Sequence, residues 1–508
     1  MNSILTSIKQ RNNDWLIALN NNQFNELNQE IFDQFYQLDR VETVPKIILA
    51  ESNSYRFLAA FIAAVAADCS VFLGNPNWTP QEWQYVLALV QPDLIWGDLS
   101  RVIPQESFVK NNGQWIMEKE ATMGVTELGV CSQRFSVDGT KVPTPNPKIM
   151  IPTGGSSGKI HFAMHTWDTL MASVRGFHQY FDQKPVNSFC VLPVYHVSGL
   201  MQFLRSLTTG GRFASLPFKD VVAGKGRDID PRDFFISLVP TQLQRLLRVN
   251  AASWLSQFRT VLLGGAPAWE SLLTEARQQD IRLAPTYGMT ETASQVVTLK
   301  PDAFLAGNNS CGQVLPHAKV TIRSTTGEVL GTNQIGIVTI EAESLALGYY
   351  SSGDQGKFPH YQSPIEEEKA LCMNATPDKI STLQSDDLGF FDDQGYLNIV
   401  GRHSHKIISG GENIFPIEVE AAILATELVS DVCVIGVPDE YWGQAVTAVY
   451  VPRLSEVSVD VLKAALINRL NRFKQPKYWV SIGKLPRNEQ GKVNYEFVKK
   501  IALAKLTQ

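Results

Sequence analysis

Along the first hundred residues, short apolar runs alternate with helix-length amphipathic stretches, and no other feature limits the fold as strongly. "KIILA" (46–50) precedes a helical pattern at 55–67, and "SVFLG" (70–74) precedes "TPQEWQYVLALV" (79–90), which leads into "DLIWG" (93–97). Strand, helix, strand, helix, strand predicts a mostly parallel sheet with covering helices. Thr79 stands where an N-cap is expected, with Pro80 at the first helical position. The alternation resumes at "SFCVLPV" (188–194), "SGLMQFLRSLTTGG" (198–211), "FISLVPTQLQRLL" (235–247) and "TVLLGGAP" (260–267). Between about 311 and 350 it gives way to short β runs with turns, "AKVTIR", "STTGEV" and "GIVTIEA", which predict a smaller β-rich unit; 351–364 reads as a polar loop. Past a boundary at 401–405 come a helix (416–427), strands "VCVIGV" and "AVTAVYV", a helix (458–473) and a lysine-bearing tail. That is enough for a separate small α+β domain. The expected division is 1–402 and 403–508: two mostly parallel α/β subdomains and a β-rich subdomain, then the small domain.

A chain of 508 residues exceeds what one hydrophobic core supports. A net charge of −5 argues against a general nucleic-acid or anionic-membrane binder. Cysteines 69, 131, 190, 311, 372 and 433 show no metal-ligand spacing, so free thiols in a reducing compartment are expected. The N-terminus lacks the apolar core of a signal peptide, and "FLAAFIAAVAA" (57–67) covers only about half a membrane span. A soluble, cytoplasmic protein is the expectation.

The stretch "IPTGGSSGKIHFAMH" (151–165) crowds glycines, serines and a lysine between apolar flanks. Glycines let backbone N–H groups turn toward phosphate oxygens, and serine hydroxyls add donors. A Walker A loop does not fit: Thr153 stands where the first glycine belongs, and Ile160 follows Lys159. Taken alone, the loop is also readable as a flexible hairpin turn.

Four further stretches settle how the loop is read: "APTYGMTETASQ" (284–295), "SDDLGFFDDQGYLNIVGR" (385–402), "GRHSHKIISGGENIFPIEVE" (401–420) and "LPRNEQGKVNY" (485–495). In this order the set resembles the adenylate-forming superfamily of acyl-CoA synthetases, luciferases and adenylation domains, over roughly 45–495. The resemblance implies a large adenylation domain with a small mobile C-terminal domain, ATP and Mg²⁺ as cofactors, and a two-step reaction. A carboxylate attacks the α-phosphate of ATP, and coenzyme A then displaces AMP. Charge gathers on phosphate oxygens in the first step, so positioned cations and donors matter more than a protein nucleophile.

By the same resemblance Thr153, Ser156, Ser157, Gly158 and Lys159 cradle phosphates, with His161 where the family has a lysine. Thr290 touches the α-phosphate and Glu291 holds Mg²⁺. Tyr287 and Gly288 lie against adenine with Gly264, Gly265 and Ala266; Asp387 accepts the ribose hydroxyls beside Arg402. Lys492 serves adenylation, Ser404 is the hinge, and Gly410 and Gly411 line the coenzyme A tunnel. Two departures stand out: His161 is at best a part-time cation at neutral pH, and Asp386 replaces a glycine and is expected in a turn.

"YGMTETASQ", "SLVPTQLQRLL" (237–247), "LPVYHVSGLMQFLRSL" (192–207) and "GVPDEYWGQ" (436–444) are most similar to the CoA ligases of menaquinone and phylloquinone synthesis that act on 2-succinylbenzoate. That acid carries a second, aromatic carboxylate, which donors must hold. Ser198, Thr292, Ser294, Gln295 and the cation Arg205 suit the task, and His196 is placed on the pocket wall and among the catalytic candidates. A fatty-acyl pocket would be lined with apolar groups instead. Two alternatives stay open: the same chemistry on another aryl or medium-chain acid, and a nucleotide-binding relative without turnover. The partners implied are the acid, ATP and CoA, with no nucleic acid and no membrane span, a homo-oligomer being left open.

Overall fold

The computed structural model describes residues 8, 11, 15–17, 26–27, 29–33, 35, 45–97, 108–111, 114–117, 148–154, 160–351, 382–410, 412–453, 457–467, 469–487 and 493–506. The predicted strand–helix alternation builds a seven-stranded sheet in which Leu94–Trp96, Lys46–Leu49, Ser70–Leu73 and Ile149–Gly154 run parallel. Antiparallel pairs close both edges, one of them formed by Ile149–Gly154 with Ile160–His165. Pro152 is tolerated there because the strand has parted from Ser70–Leu73 after Met150, leaving no ladder bond for its missing N–H to break. The helix Pro80–Val90 opens with Thr79 as N-cap, its hydroxyl accepting from the Glu82 N–H while the Glu82 carboxylate accepts from the Thr79 N–H.

A second sheet has eight strands, of which Leu16–Ile17, Phe213–Ser215, Asn187–Cys190, Phe234–Leu238, Thr260–Leu263 and Leu283–Met289 are parallel. Ser294–Thr298 and Gln313–Val314 continue it antiparallel. The helix Ser54–Ala66 of the first unit is buried at every residue from Phe57 to Ala66. It shares one core with Leu200, Phe203 and Leu204 of the helix Val197–Thr209 in the second unit. Truncating a ring such as Phe57 or Phe61, both fully buried, costs about 3–5 kcal/mol at such a site.

Ala318–Arg323, Gly336–Ala342, Thr382–Phe391 and Leu397–Arg402 form the expected β-rich unit, a four-stranded antiparallel sheet. Within it "STTGEV" is a turn closed by Ser324 rather than a strand. After Arg402 a five-stranded sheet, the helices Pro416–Leu424 and Val459–Leu466, and a final helix Tyr495–Leu506 make a small α+β unit with its own core. Both inner helices are shorter than the sequence pattern suggests. The first ends where Glu427 turns left-handed, and past the second Leu470 is drawn into the core by turns ahead of Pro476. Among the described residues Cys69, Cys190, Cys311 and Cys433 form no disulfide, and no helix is long and apolar enough to cross a membrane. Cys131, Cys372 and the 352–364 part of the polar loop lie outside the described residues.

Candidate active site

The candidate residues of the larger part gather where the parallel strands of the second sheet end at their carboxyl edge, the usual location for ligands in such sheets. His196 follows Asn187–Cys190, Gly264 to Ala266 follow Thr260–Leu263, and Tyr287 to Thr292 close Leu283–Met289. The hairpin of the glycine–serine stretch reaches the same place. Thr153 faces His161 across its ladder. Gly155 to Lys159, and with them Ser156, Ser157 and Gly158, lie outside the described residues.

His165, at the end of that hairpin, ties it to the next motif. Its Nε2 lies 2.8 Å from the Thr290 carbonyl, and burial lowers its pKa to about 4, so the ring is neutral and commits its one N–H to that oxygen. Beside it Glu291 is buried at 8% exposure, and the Tyr349 hydroxyl donates to its Oε1 at 2.5 Å. The His161 ring stands 5.8 Å from the Tyr349 ring. Among the described residues no cluster of three His, Cys, Asp or Glu could hold a metal unaided. One oriented carboxylate completed by phosphate oxygens and water is what Mg²⁺ accepts, so Glu291 fits that ion.

Among the residues expected at the nucleotide, Tyr287 donates to Asp387 Oδ2 at 2.8 Å, and Arg402 Nε lies 3.5 Å from Asp387 Oδ1. Burial first, and Asp387 second, push the Tyr287 hydroxyl well above its ordinary pKa, so it stays a donor. Ser385 accepts from the Asp387 N–H at 3.1 Å and donates to the Val338 carbonyl at 3.0 Å. Asp387 is thus held from three directions. Gly264 cannot carry a side chain, because a Cβ would lie 2.5 Å from the Thr286 hydroxyl, and Gly265 takes a positive φ of 81°.

Past Glu291 the same turn carries Ser294 and Gln295 into a buried polar cluster. Arg205, on the helix Val197–Thr209, is only 2% exposed; it bonds Ser294 Oγ at 3.1 Å and Gln295 Oε1 at 3.0 Å and lies 4.0 Å over the Phe177 ring. No acidic side chain pairs with it among the described residues, and its Nε and the Gln295 Nε2 have no partner there. Ser198 lends its carbonyl to Gln202, and His196 starts the helix with its ring 4.6 Å from Tyr195. Thr292 is fully buried, its hydroxyl 2.5 Å from the Ser294 carbonyl and accepting from the Met289 N–H, so it shapes the turn instead of facing a ligand.

In the small unit Gly410 has a positive φ of 58°, and a Cβ there would lie 2.9 Å from Trp442. Gly411 and Lys492 lie outside the described residues. Ser404 is bonded to Asp386, which sits inside the strand Thr382–Phe391 and not in a turn as expected. The strand persists because Asp387 pairs with Arg402 in the ladder and the Asp386 carbonyl accepts from the His403 N–H. Sequence reasoning missed Tyr349, His165 and Phe177. Only their neighbours in space give them meaning, and nothing in the local pattern marks them.

A family model described as "AMP-binding enzyme" matches residues 39–350, and one described as "AMP-binding enzyme C-terminal domain" matches 418–492. The 2-succinylbenzoate–CoA ligase of Listeria monocytogenes is 32% identical over 459 residues, covering 88% of this chain and 86% of that protein. The ligase of the same name from Oceanobacillus iheyensis is 33% identical over 303 residues, 59% of this chain and 58% of its own length, so that match spans less than two thirds of the relative. Among solved structures, o-succinylbenzoate CoA synthetase from Bacillus subtilis in complex with the acyl-adenylate intermediate OSB-AMP superposes with a TM-score of 0.76 at 22% identity, over 98% of this chain and 97% of that one, a likeness of fold. The chain belongs to the AMP-binding enzyme family.

Proposed function

We propose that this chain is an AMP-forming acid–thiol ligase that converts 2-succinylbenzoate to its CoA thioester in menaquinone or phylloquinone synthesis. The observation that carries the choice of acid is Arg205, a buried guanidinium without an acidic partner among the described residues, bonded to Ser294, which stands three residues along the turn from Glu291. An acid with a second carboxylate supplies the missing anion; a fatty acid does not.

In the first step the succinyl carboxylate attacks the α-phosphorus and pyrophosphate leaves. Asp387, steadied by Tyr287 and Arg402, holds the ribose. Thr290, fixed through its carbonyl by His165, faces the α-phosphate. Glu291, aimed by Tyr349, holds Mg²⁺, which when bound neutralises charge on the phosphate oxygens. Lys492 contributes a cation to the same step, while Gly155 to Lys159 cradle the phosphates. In the second step the coenzyme A thiolate attacks the acyl carbonyl and AMP leaves, with Gly410 and Gly411 admitting the pantetheine after the small domain turns about Ser404.

Pyrophosphate release with ATP and each of several acids tests this reading. Turnover on 2-succinylbenzoate and none on benzoate or octanoate is expected. Preference for another acid overturns the substrate, and nucleotide binding without release on any acid overturns the activity.

A further inference from the structure

Two successive carboxylates on the strand Thr382–Phe391 hold the start of the small unit in different ways. Asp387 pairs with Arg402, the last rung of the ladder to Leu397–Arg402. Asp386 reaches two residues further: its Oδ1 accepts from the Ser404 N–H at 3.0 Å and its Oδ2 accepts from the Ser404 hydroxyl. Its own carbonyl accepts from the His403 N–H at 2.7 Å. These three bonds fix the backbone beyond the end of the sheet.

The next residue has changed allegiance. The His405 ring stacks on Tyr495 of the final helix, with centroids 4.0 Å apart, and Ile407 enters the core of the small unit. Partners therefore switch from the large unit to the small one between Ser404 and His405. Any rotation of the small unit about this point must break the bonds from Asp386 to Ser404. Ser404 is exposed, so water replaces those bonds readily and the barrier stays low. A pair of such charge-assisted bonds biases a conformational equilibrium by on the order of five- to tenfold.

We propose that Asp386 is a positioning residue that latches the hinge at Ser404 in the orientation seen here and so sets how turnover divides between adenylation and thioester formation. The proposal rests on the two-step reading above. A glycine at this position, as in the family motif, has no group to make the latch.

The test uses the full chain carrying spin labels at K184C, in the large unit, and K500C, in the final helix, both exposed positions. Distance distributions are compared for the parent, Asp386→Ala, Ser404→Ala and the double variant. In parallel, adenylation is followed by pyrophosphate release without CoA, and thioester formation by feeding succinylbenzoyl-adenylate with CoA. Asp386→Ala is expected to shift the distances and to move the two half-reactions in opposite directions, changing their ratio on the order of five- to tenfold. Ser404→Ala, an exposed change that leaves the core intact, should do the same to a smaller extent, and the double variant should not exceed Asp386→Ala. Unchanged distances, or two half-reactions falling together at a constant ratio, overturn the latch. If the parent does not adenylate succinylbenzoate, the functional reading falls and the distances alone decide the latch.

Discussion

Replacing Arg205 with methionine removes the charge and keeps most of the volume. Burial pulls the guanidinium pKa down to about 9, so at neutral pH the group is still charged and stays so at the expense of the fold. At about 1.4 kcal/mol for each tenfold change in protonation equilibrium, that burden is on the order of 3–5 kcal/mol. Ser294, Gln295 and the Phe177 ring offset part of it, and an anion placed by the substrate would offset the rest. Methionine keeps a soft contact with Phe177, so the melting midpoint of ligand-free Arg205→Met should match or exceed that of the parent. Loss of a desolvated charge partner costs about 2–5 kcal/mol of binding, so KM for 2-succinylbenzoate should rise on the order of a hundred- to a thousandfold with kcat less affected. The decisive comparison is 4-oxo-4-phenylbutanoate, the same acid without its ring carboxylate. The parent should discriminate strongly against it, and Arg205→Met should handle both acids alike. Equal loss on both acids, or an unchanged KM for succinylbenzoate with a lowered melting midpoint, would show that Arg205 is only a structural cation.

Glu420 in the helix Pro416–Leu424 is half-buried, and desolvation raises its pKa to about 7 against the pull of the Val434 N–H. A raised carboxyl pKa means stability present below the unfolded value near 4.5 and lost as pH climbs through 7, a change of about 3 kcal/mol; denaturant melts from pH 5 to 8 should show this slope in the parent and not in Glu420→Gln. With its ring 5.8 Å from the Tyr349 ring, His161 is expected to tolerate truncation: His161→Ala should alter KM for ATP by no more than about threefold; a loss on the order of a hundredfold would make the ring a direct phosphate ligand. Lys492→Ala should abolish pyrophosphate release yet spare thioester formation from supplied acyl-adenylate, and equal loss of both half-reactions would remove it from the assigned role.

What the sequence disclosed about this fold was what depends on short-range periodicity. The Thr79–Pro80 helix start, the parallel strands around Ile47 and Ile236, and the β-rich unit after Cys311 each follow from a local pattern with a physical cause. Motif register likewise brought Tyr287 and Asp387 to one place, a hundred residues apart in the chain and 2.8 Å apart in space. Pairings that depend on distant geometry were not legible. Tyr349 sits in an unremarkable "GYY", and only the fold sets its hydroxyl against Glu291. Asp386 reads as a turn residue because aspartate favours turns in isolation, whereas the ladder to Arg402 holds it extended.

The turn after Leu283–Met289 explains why so short a motif carries so much of the site. Ala293 and Ser294 both have positive φ, 51° and 94°, although neither is glycine. Each costs of order 1–3 kcal/mol and persists only where the surroundings impose it. Thr292 accepts from the Met289 N–H, Ser173 donates to the Ala293 carbonyl at 2.7 Å, and Gly288 leaves room where a Cβ would lie 2.2 Å from the Ser294 carbonyl. Without that strain the strand would reverse over more residues and separate the groups it carries. With it, nine consecutive residues set Tyr287 against Asp387, Glu291 against Tyr349, and Ser294 with Gln295 toward Arg205. One strained turn thus fixes the spacing between the proposed nucleotide and acid sides, so a change that relaxes it should impair recognition of both substrates together.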